Sequence, residues 1–278
     1  MDSTRRFPGG VHSPSAVAAI SRRDRILIST CLVVISALAW VYLVHLDRQM
    51  SSSMEHDTMM AEMGMSMNLP WTAADVFLTF MMWTVMMVGM MAPSAAPMIL
   101  MYARVGRQAT ADGKPFAATG WFAGGYFLAW IGFSLVATIA QWALERAALL
   151  DSGMASVSNV LGGVVLVAAG VYQWTPLKDV CLTQCQTPLL FLMRHGGFRQ
   201  DASGCLLLGL RHGAYCIGCC WVLVALLFVG GVMNVLWIAL LALLILMEKL
   251  FPFGRWIARA AGVAFLVAGA WLLFPDMV

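Results

Sequence analysis

A histidine and three cysteines occur close together in the second half of the chain, at His212, Cys216, Cys219 and Cys220. In a helix, where each residue turns by about 100°, these four side chains project from one face about 100° wide. Thiolates combined with an imidazole are ligands for Cu(I), for zinc or for an iron–sulfur cluster. The pair Cys216-x-x-Cys219 also has the spacing of thiol–disulfide exchange sites. Metal binding, redox chemistry and simple packing of small side chains therefore all stay open.

A second cysteine pair, Cys181 and Cys185, precedes this segment in a linker that we place at residues 175–204. This spacing by itself is a weak indication of a metal site, and the predicted topology strengthens it. Cys216, Cys219 and Cys220 follow Arg211, which marks one end of the predicted span. At about 1.5 Å per residue, we expect them to lie about 6–12 Å into a membrane from the Arg211 end. Both groups are then on the same side, where they could bind one metal ion together or pass it between them.

Methionine is unusually frequent, with 21 residues, and many of them are clustered. Met82, Met86 and Met90 are spaced i, i+4 and i+8, which makes a ridge along one face of a helix. Thioether sulfur suits Cu(I) and does not suit magnesium or calcium, so this ridge could pass a soft ion from turn to turn. Methionine is also an ordinary gap filler in packed helices, and that alternative stays open.

A further methionine-rich segment, residues 47–70, is polar and contains His56, Met59 and Met63 as candidate metal ligands. Thioethers bind a metal without first losing a proton, so the segment suits the capture of copper in an oxidising or mildly acidic compartment. A polar loop of biased composition is the alternative. The occurrence of this methionine-rich segment together with the methionine ridge favours a function in copper handling.

Hydrophobic residues make up 61% of the 278-residue chain and charged residues only 11%, whereas soluble globular domains carry about 25% charged residues. This composition predicts an all-α, polytopic transmembrane helical bundle in contact with the lipid bilayer. No stretch of mixed composition is long enough for a separate ATPase domain, and the sequence contains no nucleotide-binding or hydrolase motif. We therefore expect neither an enzyme nor a nucleic-acid partner.

About seven segments are apolar enough to cross a bilayer, which requires roughly 20 residues of helix. They divide the chain into a basic N-terminal segment (1–25), a signal-anchor helix (26–46), the methionine-rich linker (47–70) and a six-helix membrane domain (71–278). The predicted spans are residues 26–46, 73–91, 117–144, 157–174, 213–233, 235–247 and 257–274. The second span either ends at Pro93 and Pro97 or continues past them with a kink to residue 102.

The positive charges predict the orientation of these spans. With the N-terminus in the cytoplasm, 15 of the 17 Lys and Arg residues fall on the cytoplasmic side, and only Arg48 and Arg146 fall outside. The expected location is the bacterial inner membrane, with several passes. Residues 47–70 are then periplasmic, and residues 175–204 form a cytoplasmic loop that carries cysteines.

Three blocks of sequence together resemble a known family. They are residues 86–98 (MMVGMMAPSAAPM), residues 172–178 (YQWTPLK) leading to Cys181 and Cys185, and residues 212–221 (HGAYCIGCCW). The resemblance is to a bacterial family described as predicted metal-binding integral membrane proteins of unassigned function, and it covers about residues 75–275. It implies a helical membrane domain whose candidate metal residues are Cys181, Cys185, His212, Cys216, Cys219 and Cys220.

The leading hypothesis is a membrane protein that binds a soft metal, with Cu(I) preferred and zinc as the alternative. It would transport the metal or deliver it to a membrane cuproenzyme, with that enzyme or a metallochaperone as partner, and as a monomer or an oligomer. Thioethers outside and thiolates inside would form a gradient of rising affinity. Two other classes stay open, which are a membrane thiol–disulfide relay and a structural or assembly subunit of a membrane complex.

Overall fold

The computed structural model describes residues 22–62, 71–111, 119–150, 154–156, 158–196 and 201–274, with the backbone alone at residues 24, 51–62 and 108–111. These residues form helices joined by short connections, with one isolated bridge between Leu150 and Ser156, which confirms the predicted all-α class. In chain order the helices are α1 (Arg22–Glu62), α2 (Ala73–Ala111), α3 (Thr119–Arg146), α4 (Asn159–Tyr172), α5 (Pro176–Gln186), α6 (Pro188–Arg194), α7 (Ala202–Ala225), α8 (Leu227–Gly230), α9 (Val235–Leu250) and α10 (Gly254–Leu273).

Within the described residues, five helical stretches are long and apolar enough to cross a membrane, which is compatible with the predicted membrane protein. The consecutive helices α4 and α5 pass the same test together, but the chain bends by 65° between them. This pair lies where the fourth span was predicted. The five stretches are Arg25–Met50, Ala73–Arg107, Thr119–Arg146, Ala202–Gly230 and Gly254–Leu273.

The predicted sixth span, residues 235–247, corresponds to the 16-residue helix α9. At about 1.5 Å per residue this helix is about 24 Å long, which is less than the roughly 30 Å of a bilayer core. Its apolar run ends where Glu248 and Lys249 turn into the protein interior. Seven full spans are therefore not confirmed, and the described chain supports five or, with the bent pair, six.

The exposed surface of the bundle is apolar, with Leu236, Trp256 and Val267 exposed by 83, 69 and 65%. Water would drive such a surface to aggregate, whereas lipid solvates it. Polar side chains such as Gln141 and Lys178 are buried inside instead, as expected of helices that are surrounded by lipid.

Helix α1 continues well beyond the predicted signal-anchor helix and ends at Glu62. The first part of the predicted methionine-rich linker therefore has a helical backbone. The side chains of residues 51–62 and the whole of residues 63–70 lie outside the described part of the chain. The predicted ligands His56, Met59 and Met63 fall in this region.

The bundle has two ends, which we name by residues of α2. The Trp71 end is where α2 begins and α3 ends, and the Arg107 end is the opposite one. Helix α7 begins at the Arg107 end, because Cys205 near its start contacts Tyr102 of α2 with 2.8 Å between sulfur and hydroxyl oxygen.

Helix α7 begins earlier than the predicted span 213–233. Asp201 caps its N-terminus, and the Asp201 carboxylate accepts a hydrogen bond from the backbone N–H of Gly204. The apolar stretch that contains α7 runs from Ala202 to Gly230, so Cys216 lies halfway along it. The helix thus begins before the predicted span, whereas the depth of the cysteines in a membrane stays a prediction.

Close packing between α3 and α7 brings the backbones of these helices together. A Cβ atom at Gly209 of α7 would lie only 2.0 Å from the carbonyl oxygen of Phe122 in α3. Only glycine permits this approach, which is typical of tightly packed membrane helices. The contact places Tyr126 of α3 beside Cys216 of α7.

The bend between α4 and α5 is stabilised by buried polar side chains. Lys178 forms an ion pair of 2.7 Å with Glu248 of α9, and Gln173 bonds to both of these residues. All three are at most 2% exposed, so the charges compensate each other away from solvent. The bend packs α5 against α7, and the predicted loop 175–204 thus contains two helices, α5 and α6.

Candidate metal site

Four thiols form a group in the middle of the bundle, which we call the thiol cluster. Its members are Cys185 of α5 and Cys216, Cys219 and Cys220 of α7. The Cys185 thiol interacts with those of Cys216 and Cys219, and Cys220 interacts with the same two. The three cysteines of α7 are at most 2% exposed, and Cys185 is half-buried. The sequence placed three of these residues on one helix face, and the bend after α4 brings the fourth to them.

Two members of the thiol cluster turn back to their own helix. The Cys219 thiol donates a hydrogen bond of 3.1 Å to the carbonyl oxygen of Cys216, and the Cys220 thiol donates one of 2.9 Å to the same oxygen. Such i to i−3 and i−4 bonds satisfy a buried thiol that has no other partner. Rotation about one side-chain bond frees each sulfur, so both are held weakly.

Lys249 of α9 supplies a positive charge to the thiol cluster. Its ammonium donates to the Cys216 sulfur at 2.8 Å and lies 3.4 Å from the Ser94 hydroxyl. The side chain is 5% exposed. The ion pairs of the described residues join Lys178 to Glu248 and Arg259 to Asp179, and neither includes Lys249. An ammonium group beside a sulfur stabilises negative charge on it, which is the form that binds metals.

A methionine also reaches this group. The Met91 sulfur lies 3.9 Å from the Lys249 ammonium, and the Met91 carbonyl oxygen accepts a hydrogen bond of 3.4 Å from the hydroxyl of Tyr126. That same hydroxyl lies 3.1 Å from the Cys216 sulfur. Tyr126 therefore bridges α2 and α7 at the thiol cluster, and the Met91 and Cys216 sulfurs both lie within 3.9 Å of the Lys249 ammonium.

His212 is buried one turn before Cys216, among the rings of Phe122, Tyr126 and Phe191. Its Nδ1 atom has no hydrogen-bond partner in the part of the chain that the structure describes. A buried imidazole nitrogen without a partner is costly, and a metal ligand or an ordered water would satisfy it. The predicted ligand is thus beside the thiol cluster, although its ring packs against aromatic side chains rather than against a sulfur.

The two cysteines of the pair Cys181 and Cys185 lie in different positions. Cys185 joins the thiol cluster, whereas Cys181 packs one turn earlier against the backbone of α7. A Cβ atom at Gly218 would lie 2.8 Å from the Cys181 sulfur, and the carbonyl of Gly218 accepts a hydrogen bond from Tyr172. Cys181 interacts with Cys219, so it lies at the edge of the cluster.

The predicted methionine ridge is inside the core. Met82, Met86 and Met90 are at most 5% exposed, which suits packing as well as ligand binding. The methionine that reaches the thiol cluster is Met91, on the neighbouring ridge of α2. Met91 was recognisable from its i, i+4 spacing to Met87, whereas Lys249 lies at the end of an apolar run and resembled a boundary residue.

Among the described residues, no three His, Cys, Asp or Glu side chains are arranged ready to hold a metal ion. The reason is visible in the thiol cluster, where two sulfurs point to a carbonyl oxygen and one is bonded to an ammonium group. The donors themselves are soft, since they are thiols with a thioether beside them. Such a set suits Cu(I) and zinc, and it does not suit magnesium or calcium.

All seven cysteines lie in described residues, and none of them forms a disulfide. The thiols are thus in the reduced form that binds metals. Reduced thiols are also compatible with a thiol–disulfide relay, so this observation does not separate the two chemistries.

Comparison with known proteins gives the family. No curated protein and no solved structure matches the chain. A family model described as PpoB2, copper chaperone, matches residues 80–272, which is more than half of the chain and includes the whole thiol cluster, Met91 and Lys249. This match supports the predicted copper-related role. The chain belongs to the PpoB2 family of copper chaperones.

Proposed function

We propose that this protein is a membrane copper chaperone that holds Cu(I) at the thiol cluster and delivers it to a membrane cuproenzyme. The observation that supports this most is the meeting of Cys185 from α5 with three thiols of α7. Helices α5 and α7 are separate elements, and packing alone does not require sulfur from both at one point. Its location is the bacterial inner membrane, with the N-terminus in the cytoplasm.

Charge balance favours a monovalent ion in this position. Cu(I) with two thiolates carries a net charge of about −1, and the Lys249 ammonium neutralises it. A neutral assembly is stable in an apolar interior, where an uncompensated charge costs several kcal/mol. Cys216 and Cys185 or Cys219 are the first ligands, with Cys220 and Met91 close enough to replace one of them. Cys181 and His212 support this group from its edges.

Exchange of ligands is what delivery requires. A chaperone must bind copper tightly enough to keep it and must release it to a partner with a better site. Four thiols and a thioether around one position allow stepwise replacement of one sulfur by another. The Cys219 and Cys220 thiols suit this exchange, because their bonds to the Cys216 carbonyl oxygen can break without breaking the helix. A cuproenzyme that offers additional ligands would complete the transfer.

The first experiment measures bound metal. The protein is purified anaerobically in detergent, loaded with Cu(I), and its metal content is measured by mass spectrometry. We expect near-stoichiometric copper at the thiol cluster and its loss in the Cys216→Ser, Cys219→Ser, Cys220→Ser triple variant. Cys31→Ser is the matched control, because Cys31 is exposed on α1, away from the cluster.

The outcomes separate the hypotheses. If the protein binds zinc rather than copper after loading with both metals, zinc is the cargo. Absence of any bound metal would refute the proposal, and the thiol relay would then be tested by trapping a mixed disulfide at Cys216. Proteoliposomes separate delivery from transport, because a chaperone binds Cu(I) in proportion to protein and a transporter accumulates it in the lumen.

A further inference from the structure

A second group of side chains near the Trp71 end has a carboxylate and a thioether that converge on one amide nitrogen. The Gln141 amide nitrogen donates a hydrogen bond of 2.8 Å to the Glu145 carboxylate and one of 3.1 Å to the Met154 sulfur. The indole N–H of Trp71 donates to the other carboxylate oxygen at 2.9 Å, and that of Trp83 donates to the Gln141 oxygen at 2.7 Å. We call these five residues the Gln141 network.

The position of the amide nitrogen shows what the network can hold. Gln141 is fully buried, and Trp83 fixes its oxygen, so its NH₂ group is directed at the carboxylate and the thioether together. An amide NH₂ is the positive end of a dipole. A cation in its place would lie between the Glu145 oxygen and the Met154 sulfur, and both side chains would move closer to it than they now lie to the nitrogen.

Glu145 has no cationic partner in the described structure. The ion pairs of the described residues do not include it, and its neighbour Arg146 lies over the ring of Trp142 instead, 5.0 Å from the ring centre. The carboxylate is half-buried and receives only neutral donors. A cation in place of one of these neutral donors would interact with a carboxylate more strongly than the neutral donor does.

Met154 is held in position by its backbone. Its φ angle is 56°, in the left-handed region that side-chain-bearing residues rarely adopt. Its carbonyl oxygen accepts a hydrogen bond from Val232, and Ser156 donates one to the carbonyl of Phe228. Residues that are kept in such conformations by their surroundings concentrate at functional sites. Met154 lies outside the helices, and these backbone bonds hold the residue whose sulfur contacts Gln141.

Buried methionines connect this network with the thiol cluster. Trp83 of the network and Met91 of the cluster are eight residues apart on α2, which is about 12 Å along the helix. Met86, Met87 and Met90 lie between them, and each is at most 2% exposed. A soft ion that leaves the network would thus meet thioether sulfur on its way to the thiols.

We infer that Glu145 and Met154 form a second binding site for a soft monovalent cation, which receives Cu(I) before it reaches the thiol cluster. The Gln141 amide occupies the cation position and is displaced when the ion binds. Trp71 follows the methionine-rich segment 47–70 directly in sequence, so that segment ends at the proposed site. The order of the two sites rests on the proposed function, whereas the second site itself does not, because its ligands and its location are different.

The test uses Ag(I), a redox-inert soft cation, with the full-length protein in lipid nanodiscs. The starting protein is the Cys216→Ser, Cys219→Ser, Cys220→Ser variant, which removes the stronger site. Met154→Leu and Glu145→Gln are each added to it, and Met193→Leu is the control because Met193 is an exposed methionine on α6. Affinity is measured by titration, and the Trp71 and Trp83 indoles of the network give a change in fluorescence on binding.

We expect the starting protein and the control to bind about one Ag(I), and each test variant to bind it at least about tenfold more weakly, the usual loss for an altered metal site. Equal affinity in all four proteins would overturn the inference, and so would sensitivity to Met154→Leu alone. If the triple variant does not fold, the same substitutions are made in the parent protein, where each must remove one of about two bound ions. Failure of the thiol cluster would show separately, as a parent that binds no more ion than the triple variant.

Discussion

The thiol cluster and the Gln141 network are built in a similar way from different donors. Each places the positive end of a nitrogen group at the point where its ligands converge. In the thiol cluster this group is the Lys249 ammonium on the Cys216 sulfur, and in the network it is the Gln141 amide between Glu145 and Met154. Both nitrogen groups satisfy buried acceptors that would otherwise be costly without a cation.

The difference between the two regions lies in their ligands and depth. Thiolates bind Cu(I) more strongly than a thioether with a carboxylate does. The thiol cluster lies halfway along the Ala202–Gly230 stretch, whereas the network lies near one end of the bundle. Under the proposed function, an ion would therefore move from the weaker site near the Trp71 end to the stronger site at the centre of the bundle. Substitutions that disturb one region and leave the other unchanged test this difference.

Lys178→Met should have the largest effect, because it leaves the Glu248 carboxylate buried without its partner. Removal of one member of a buried ion pair costs about 3–5 kcal/mol, and thermal unfolding in detergent measures the loss. Since α5 carries Cys185, copper binding at the thiol cluster should fall while Ag(I) binding at the Gln141 network stays unchanged. Arg259→Gln is the control, because its pair with Asp179 is partly exposed and 3.8 Å long, and it should cost less than about 1 kcal/mol. Equal loss at both sites would contradict the prediction.

Gly209→Ala should disturb the contact between α3 and α7. The new methyl group would meet the Phe122 carbonyl oxygen at 2.0 Å, so the helices must separate, at a cost of up to about 3 kcal/mol. The Tyr126 contact with Cys216 then weakens, and Cu(I) affinity at the thiol cluster falls. Gly120→Ala is the matched control in α3, since no atom lies within 4 Å of its added methyl group. A stability as high as that of the control would show that the close approach is unimportant.

Gln141→Leu separates the two roles of the amide in its network. The Trp83 N–H and one Glu145 oxygen each lose a partner, which should lower the free energy of unfolding by about 1–2 kcal/mol. Affinity for Ag(I) should nevertheless rise, because the amide no longer competes for the ligands. Gln184→Leu is the control, since the buried Gln184 side-chain oxygen has no partner within the described residues and its removal should cost little. A fall in Ag(I) affinity would mean that Gln141 is itself a ligand.

Met86→Leu should have the smallest effect on stability. Leucine has a similar volume, so the change should cost less than about 1.5 kcal/mol. Affinities at the thiol cluster and the Gln141 network should not change, because Met86 belongs to neither. Transfer of Ag(I) from one to the other, followed by stopped-flow fluorescence, should become slower. Transfer at the parent rate would show that the buried methionines serve only as packing.

Much of the fold was predictable from composition and apolar runs. These features depend on local chain properties, and the all-α class follows from them directly. The lengths of the spans did not follow as well, because caps and buried charges decide where helices end. Asp201 starts α7 before Gly213, and the interior positions of Glu248 and Lys249 leave α9 too short for a full span.

The candidate site was predictable only in part for a related reason. The common face of Cys216, Cys219 and Cys220 is a property of one helix and is readable from spacing. Lys249 and Met91 come from α9 and α2, and no periodicity within one segment indicates that they meet Cys216. The Gln141 network is still less accessible, since Met154 lies outside the helices and has no neighbouring motif.

The helical class, the apolar surface and the soft character of the available ligands follow from the amino-acid sequence. These depend on residue type and on spacing within single helices. The tertiary structure alone decided which sulfurs meet and which charges face them. The bend after α4, the glycine contact between α3 and α7 and the inward turn of Lys249 are all contacts between distant segments. Such contacts depend on how side chains fit together in three dimensions, which spacing along a chain does not specify.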